Sequence, residues 1–312
     1  MNNKHYKQGV ACAILCAVLW GILPIYWKSL QPINPLLIIL YRIVLVGVFS
    51  FVASMIIYKW EGIKAPFREK GVARDFFFAG LLISTNWSVY IWAVSTDHII
   101  ETCIGYYIEP LFVCLFGVFL FKEVLNIQKK IALMAAGFGV LVMILYYGEI
   151  PLIALTLAVT FAMYAALKRK HQLTALIALL YETLFLMPFA LALILYMEFT
   201  GRGAYAVGEP YQWALLSIAG IITGVPLMLF AMAANRINLV SLGLTEYISP
   251  SLTLLLGIFL YKEPFDAIQL VTFVIIWVGL IIFTLGEMKS VKEERRKSEG
   301  RQIKKDKIHE ST

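Results

Sequence analysis

The chain carries the stretch GYYIEPLFVCLFGVFLFKE at residues 105–123 and repeats it, in register and without gaps, as TEYISPSLTLLLGIFLYKE at residues 245–263. Proline, lysine and glutamate recur at matching places, and these residue types are scarce in so apolar a chain. The offset from Pro110 to Pro250 is 140 residues, close to half of the 312-residue length. These matches indicate an internal duplication.

Composition assigns the chain to the membrane proteins. Hydrophobic residues make up 60% of the chain and charged residues only 15%, and the mean hydropathy is +0.79. Several apolar stretches reach the roughly 20 residues that a helix needs to cross a bilayer. Because unpaired backbone polar groups are costly in lipid, each of these stretches is predicted to be a helix.

We predict an all-α membrane protein of ten transmembrane helices, arranged as two inverted five-helix repeats. The predicted helices lie at residues 8–27, 35–58, 73–95, 100–121, 129–147, 150–168, 174–197, 213–235, 238–261 and 267–286. The fifth and sixth are separated only by a Gly-containing turn ending at Pro151. The first repeat covers residues 1–147 and the second 148–286, and residues 287–312 form a charged tail predicted to be cytoplasmic and disordered.

The distribution of basic residues predicts the orientation. Of the 27 lysine and arginine residues, 23 fall on one side of the predicted spans, which puts both termini in the cytoplasm of a multi-pass inner-membrane protein. The net charge of +7 therefore follows from topology and gives no reason to expect nucleic-acid binding. An odd number of helices per copy inverts the second copy relative to the first. Inverted repeats are typical of secondary transporters that work by alternating access.

Polar groups inside the predicted spans are the candidate functional residues, because the bilayer penalises each of them. Glu109 and Glu246 are mid-span acids, and the nearby Pro110 and Pro250 lack the backbone donor and should loosen the helix there. Glu109 is the candidate for proton coupling. The predicted substrate path comprises these acids and six further residues: Trp20, Asn86, Trp87, Tyr90, Tyr106 and Tyr247.

Each candidate also has a structural interpretation. Asn86 suits a hydrogen bond between helices equally well, and any single aromatic residue suits packing. Arg42 lies near enough to its end of the span to snorkel. It is related by the offset to Glu182, which makes Arg42 and Glu182 candidates for a structural ion pair, although equivalence in the repeat does not prove contact.

Several motifs together resemble the RarD branch of the EamA-type drug/metabolite transporter superfamily. They are the run NWSVYIWAV at residues 86–94, WG at 20–21, YR at 41–42, TGVPL at 223–227, LGLTEYISP at 242–250 and YKEPF at 261–265. The resemblance covers roughly residues 8–286. It implies an inner-membrane permease with a central cavity lined mainly by its first, third, fourth, sixth, eighth and ninth helices. Glu109 and Glu246 depart from the amides usual in that family, a change that favours a cationic substrate or an added proton site.

Other classes of function lack their motifs. No nucleophile motif, phosphate-binding loop or metal-ligand spacing occurs, so we expect neither an enzyme nor a cofactor. The four cysteines and four histidines are scattered through the chain. The expected partners are a small-molecule substrate, the lipid bilayer and protons. A translocator of a lipid-linked or amphiphilic carrier is the alternative function, and a monomer or a homodimer is compatible with the sequence.

Overall fold

The structure, a computed structural model, describes residues 3–122, 127–169, 171, 173–234, 236–237 and 245–286. All structural statements below concern these residues. The predicted cytoplasmic tail at 287–312 lies outside them, and so does Glu123 of the first repeated stretch.

All regular secondary structure in the described residues is helical. The helices are α1 Asn3–Gly21, α2 Leu23–Lys28, α3 Pro35–Lys64, α4 Val72–Ser95, α5 Ile99–Phe121, α6 Ile127–Tyr147, α7 Leu152–Arg169, α8 Ala175–Leu184, α9 Met187–Phe199, α10 Ala204–Val207, α11 Pro210–Ser217, α12 Ala219–Ala234, α13 Ile248–Leu255 and α14 Ala267–Gly286. A short 3₁₀ helix follows α3, and a π-helix, Leu256–Leu260, continues α13.

Seven helical segments in the described residues are long and apolar enough to span a membrane, and two of them join consecutive helices, α1 with α2 and α11 with α12. An eighth span results if α8 and α9 are counted together. Those two helices meet at an angle of 54°, just before Pro188, a residue that cannot continue an upstream helical hydrogen-bond ladder. Two shorter apolar helices lie at Leu152–Lys168 and Ile248–Leu260. The described residues therefore establish a multi-pass helical membrane protein with seven to eight candidate spans.

The predicted break between the fifth and sixth apolar segments is present. Helix α6 ends at Tyr147 and α7 begins at Leu152. Gly148 between them has a φ of +70°, which a residue without a Cβ adopts at little cost. The turn chemistry read from the sequence therefore accounts for the division of this long apolar stretch.

Helix packing brings residues distant in sequence to the centre of the bundle. Helix α7 packs on α4 and α5, while α1 packs on α12 and α13. Helix α3 contacts α8, α9 and α12, and α5 contacts α13. The largest buried cluster combines side chains from both halves of the sequence, including Trp27, Tyr90, Ile99, Leu157 and Leu216.

The bundle has two ends, which we name by a residue at each. At the Lys28 end, Lys28 forms an ion pair with Asp97 in the turn between α4 and α5. At the His171 end, the His171 ring lies 2.8 Å from Asp75 on the first turn of α4. Arg42 lies about two turns from the beginning of α3, and thus nearer the Lys28 end.

Candidate functional site

A buried guanidinium group surrounded by aromatic rings lies in the half of the bundle nearer the Lys28 end. The guanidinium carbon of Arg42 lies 4.1 Å from the ring centre of Trp87 and 4.8 Å from that of Trp27. Arg42 is only 5% exposed. Helix α3 supplies Arg42, and its first turn is fixed by Asn34, whose side chain accepts a hydrogen bond from the Leu36 amide. Three separate helices thus form this pocket.

The Arg42 side chain has no carboxylate partner in the described part of the chain. Its Nε and Nη1 atoms are buried and make no hydrogen bond to any described residue. No carboxylate oxygen of a described residue lies within 4.0 Å of the guanidinium nitrogens, the distance limit for an ion pair. A desolvated cation–π contact contributes about 2 kcal/mol, whereas the burial of an unpaired ion costs several kcal/mol. The two tryptophans therefore offset only part of the cost.

Two tyrosines connect the arginine pocket to the deeper acids. Tyr90 on α4 and Tyr106 on α5 meet edge to face with ring centres 5.8 Å apart. The charge of Arg42 acts on both hydroxyl groups, and the charge of Glu109 also acts on Tyr106. Tyr106 precedes Glu109 by one helical turn, and it lies within electrostatic range of both the cation and the first acid.

The two candidate acids interact with each other. Glu109 on α5 is partly buried, and it lies within electrostatic range of Glu246, which is also partly buried and comes from the second repeat. Helix α5 continues through Pro110 without a break, whereas the helical backbone is interrupted at Tyr247, directly after Glu246. The expected loosening of the helix is therefore found at Glu246 and not at Glu109.

Asn86 uses its amide between helices. Its Nδ2 donates to the backbone oxygen of Leu157 at 2.9 Å and to Oγ1 of Thr160 at 3.1 Å, both on α7. The side chain is 1% exposed. The interhelical contact that the sequence left open is thus formed, and it holds α4 against α7 directly beside Trp87.

The remaining path candidates have aromatic neighbours elsewhere in the bundle. Trp20 on α1 lies 5.9 Å from the Phe230 ring on α12. Tyr247 stacks on Tyr107 with ring centres 6.3 Å apart. The structure therefore brings Trp87, Tyr90, Tyr106, Glu109 and Glu246 into one connected set. Trp20 and Tyr247 each contact another aromatic ring, those of Phe230 and Tyr107.

Glu182 pairs with Lys168 and not with Arg42. Lys168 Nζ lies 3.1 Å from a Glu182 carboxylate oxygen, and the Tyr164 hydroxyl donates to the same carboxylate at 3.0 and 3.1 Å. The direct Arg42–Glu182 contact considered from the sequence is thus not formed. Trp27, Lys168 and Tyr164 were missed as partners. The 140-residue offset relates Lys168 to Lys28, but it does not indicate which residue either lysine pairs with.

The Lys28 end of the bundle is closed by contacts between the two halves of the sequence. The carboxylate of Glu263 accepts hydrogen bonds from the backbone amides of Ile99 and Ile100 at 2.8 and 2.9 Å. Lys28, besides its pair with Asp97, lies 4.1 Å from the Tyr261 ring centre. An acid at a helix N-terminus satisfies otherwise free amides and complements the helix dipole. These contacts join the start of α5 to the segment after α13.

A second capped helix start lies at the same end. Asp266 accepts from the Tyr147 hydroxyl and from the backbone amide of Gln269. The hydrogen bond from Tyr147, followed by those from the helix backbone, holds the pKa of the Asp266 carboxyl below its usual range. This contact connects the end of α6 to the start of α14.

Two further features lie apart from the arginine pocket and the acids. A cavity of about 310 Å³ between α5, α6 and α7 is lined by apolar residues, and none of the predicted site residues lines it. Among the described residues, no three His, Cys, Asp or Glu side chains are grouped as a metal site would require.

The sequence comparisons with known proteins agree on one family. Residues 7–145 match the sequence profile of the EamA-like transporter family. The chain is 38% identical over 293 residues to the uncharacterized transporter YojE of Bacillus subtilis, covering 93% of this chain and 97% of that protein. It is 34% identical over 299 residues to protein RarD of Escherichia coli, covering 96% and 100% respectively. A solved crystal structure is similar in fold, with a TM-score of 0.58, 17% identity, and coverage of 89% of this chain and 97% of that one.

Proposed function

The chain belongs to the EamA-like transporter family as a RarD-type permease, and we propose that it is a secondary transporter that moves a small metabolite or drug across the inner membrane by alternating access. The substrate path runs through the arginine pocket and past the acids Glu109 and Glu246. Both termini lie in the cytoplasm, as the excess of basic residues on one side favours.

The proposal treats the chain as ten spans in two inverted repeats. The seven long helical segments, the bent pair α8–α9 and the two shorter apolar helices add up to ten apolar segments in the described residues. Five belong to each 140-residue copy. Since five is odd, a second copy of the same fold inserts upside down relative to the first, which is the arrangement that alternating access uses.

A reciprocal contact between α6 and α14 carries the proposal. A Cβ atom at Gly139 would lie 3.6 Å from Cγ2 of Thr272, and one at Gly279 would lie 3.3 Å from the backbone oxygen of Ala132. Gly139 and Gly279 are 140 residues apart, and so are Ala132 and Thr272. Each copy therefore presents the same two positions to the other, as a two-fold axis between the repeats requires.

A second repeat-related pair supports the same symmetry. Lys122 has a φ of 55° and Lys262 a φ of 53°, and both are the next-to-last residue of the repeated stretch in their copy. Left-handed backbone is uncommon for a residue with a Cβ. Two such residues at one repeat position favour a shared chain path over coincidence.

In the proposed cycle, the described conformation is closed at the Lys28 end. Opening that end separates Glu263 from the amides of Ile99 and Ile100, and separates Lys28 from Asp97. Glu109, partly buried and next to Tyr106, is the proposed carrier of a coupling proton, because its neutral form is cheaper than its ion inside the bilayer.

The closed end provides the test. Cys12, Cys16, Cys103 and Cys114 are replaced with Ala, and a cysteine pair is introduced by Lys28→Cys with Asp97→Cys. Metabolite pools inside and outside cells are then compared with and without the protein. We expect the protein-dependent pool difference to vanish when the pair is crosslinked and to return on reduction, while Lys28→Cys alone responds to neither treatment.

A protein that still exports with the pair fully crosslinked contradicts alternating access at this end. Liposomes that contain the purified protein then distinguish the kinds of cargo. Flux of a water-soluble solute fits the proposal, whereas lipid flip without solute flux contradicts it and favours an amphiphile translocator.

A further inference from the structure

We propose that Arg42 is an anion-binding group of the transport site and takes the carboxylate or phosphate group of a small organic acid. The guanidinium is 5% exposed, and its Nε and Nη1 atoms are buried without an acceptor among the described residues. The contacts of the group are aromatic, with Trp27 and Trp87 against it. Rings stabilise the charge while they leave the N–H groups unused, and a planar guanidinium suits a carboxylate or phosphate.

The second repeat serves as an internal comparison for this site. Glu182 occupies the position equivalent to Arg42, and the fold neutralises it with Lys168, 3.1 Å away. Lys28, the repeat equivalent of Lys168, pairs instead with Asp97 at the end of the bundle. Among the described residues, the fold thus provides a counter-charge for the buried ion in one copy and none for the buried ion in the other. A ligand that carries the missing charge would complete the first copy.

The surroundings of Arg42 restrict the rest of the ligand. Tyr106 lies within electrostatic range of both Arg42 and Glu109, and Glu109 in turn interacts with Glu246. A molecule whose acid group binds Arg42 therefore extends either toward the surrounding aromatic rings or toward the carboxyl groups of Glu109 and Glu246. A second anionic group would be repelled by these carboxyl groups in their ionised form. The ligand class is accordingly an acid with a single anionic group at one end and an uncharged or cationic remainder.

A purely structural role for Arg42 makes a different prediction. In that case the two tryptophans alone stabilise the charge of Arg42, and the protein binds anionic and neutral solutes equally. The anion site is therefore tested by direct binding to the full-length purified protein in lipid nanodiscs. This readout does not depend on transport, although the place of the site in a substrate path rests on the proposed function.

The probes are sodium benzoate, its neutral analogue benzamide, and sodium phosphate, each compared with sodium chloride at the same ionic strength. The measurements are the thermal unfolding midpoint and the tryptophan fluorescence, which Trp27 and Trp87 should make sensitive to the site. We expect benzoate or phosphate to raise the midpoint and benzamide to leave it unchanged. Preference for benzoate assigns a carboxylate ligand, and preference for phosphate assigns a phosphate ligand.

Three variants test whether Arg42 is responsible. Arg42→Gln should weaken anion binding at least about tenfold, which corresponds to the loss of one charge-assisted contact. Arg42→Lys keeps the charge, so it should bind more weakly than the unmodified protein and more tightly than Arg42→Gln. Arg202→Gln, in an exposed loop at the Lys28 end, should bind as the unmodified protein does.

Equal binding of benzoate and benzamide, or equal anion binding by Arg42→Gln and the unmodified protein, overturns the proposal. Absence of any response to both anions overturns it as well. If Arg42→Gln does not fold, two measurements still test the proposal. They are the comparison of benzoate with benzamide on the unmodified protein and the anion titration of Arg42→Lys. Anion binding without solute flux in liposomes would leave the site intact and contradict the transport function instead.

Discussion

Lys168 Nζ lies 3.1 Å from the carboxylate of Glu182, and this buried ion pair joins α7 to α8. Tyr164, one turn before Lys168 on α7, donates to the same carboxylate. The glutamate is completely buried and the lysine largely so. The charged form of a carboxylate in this position is stabilised by its partners, because neither lipid nor the apolar core offers a replacement for them.

We predict that Lys168→Met destabilises the protein by about 3 kcal/mol, because it leaves a buried carboxylate without its cation. The measurement is the thermal unfolding midpoint of the purified protein. The matched control is Arg68→Met, which breaks the exposed contact of Arg68 with Glu61 at 3.9 Å. Exposed pairs contribute about 0–1 kcal/mol, so its midpoint should barely change.

The double variant Lys168→Met with Glu182→Gln should recover part of the loss, since it removes the unpaired charge as well. A midpoint for Lys168→Met equal to that of Arg68→Met would mean that the ion pair contributes no more than a surface contact does.

A close approach between α4 and α8 gives the second prediction. A Cβ atom at Gly80 would lie 2.2 Å from the backbone oxygen of Glu182, a distance that no real contact allows. Gly80→Ala should therefore force the helices apart and lower the unfolding midpoint. Gly137→Ala is the control, because a Cβ there meets nothing within 4 Å and alanine favours a helix by about 1 kcal/mol over glycine. A Gly80→Ala protein as stable as Gly137→Ala would contradict this packing.

The helices follow largely from the sequence, whereas the contacts inside the site do not. The length of the apolar segment alone predicts a helix at residues 73–95, and α4 spans Val72–Ser95, one residue longer at its start. The contact of Arg42 with Trp27 depends on how α2 and α3 fold back on each other, and nothing local in the sequence specifies it. The orientation of Asn86 toward α7 likewise follows from long-range packing. Periodicity predicts which segments are helices, but side-chain partners across helices depend on the whole bundle.

The third prediction concerns orientation in the membrane. Lys64 at the end of α3 is expected in the cytoplasm, whereas Glu149 and Arg202 are expected outside. Single cysteines at these positions, in the cysteine-free protein, should separate accordingly when intact cells receive an impermeant thiol reagent. Positions 149 and 202 should be labelled, and position 64 only after the membrane is permeabilised. Labelling of position 64 in intact cells would refute the orientation.

The fourth prediction separates the substrate path from packing at neighbouring positions. Trp87→Ala removes a ring from the Arg42 pocket and should abolish solute flux at normal membrane abundance, while Trp87→Phe, which keeps a ring, should retain part of it. Asn86→Ala removes the hydrogen bonds to Leu157 and Thr160. It should lower the unfolding midpoint as well as the flux. Normal flux in both alanine variants would assign Trp87 and Asn86 to packing.

The last prediction concerns proton coupling. Glu109 and Glu246 are partly buried carboxyl groups that interact with each other, and two charged carboxylates close together inside a bilayer are costly. Glu109 is the proposed proton carrier because it lies in the unbroken helix α5 next to Tyr106, on the side of the arginine pocket. Glu109→Gln should then abolish the dependence of uphill transport on a pH gradient while exchange of substrate down its gradient continues. Glu246→Gln, tested in the same liposomes, should keep the response to the pH gradient and change the apparent affinity for substrate. If the Glu109→Gln protein still concentrates substrate when a pH gradient is imposed, Glu109 is not the coupling residue. If only Glu246→Gln loses the response to the pH gradient, Glu246 is the coupling residue instead.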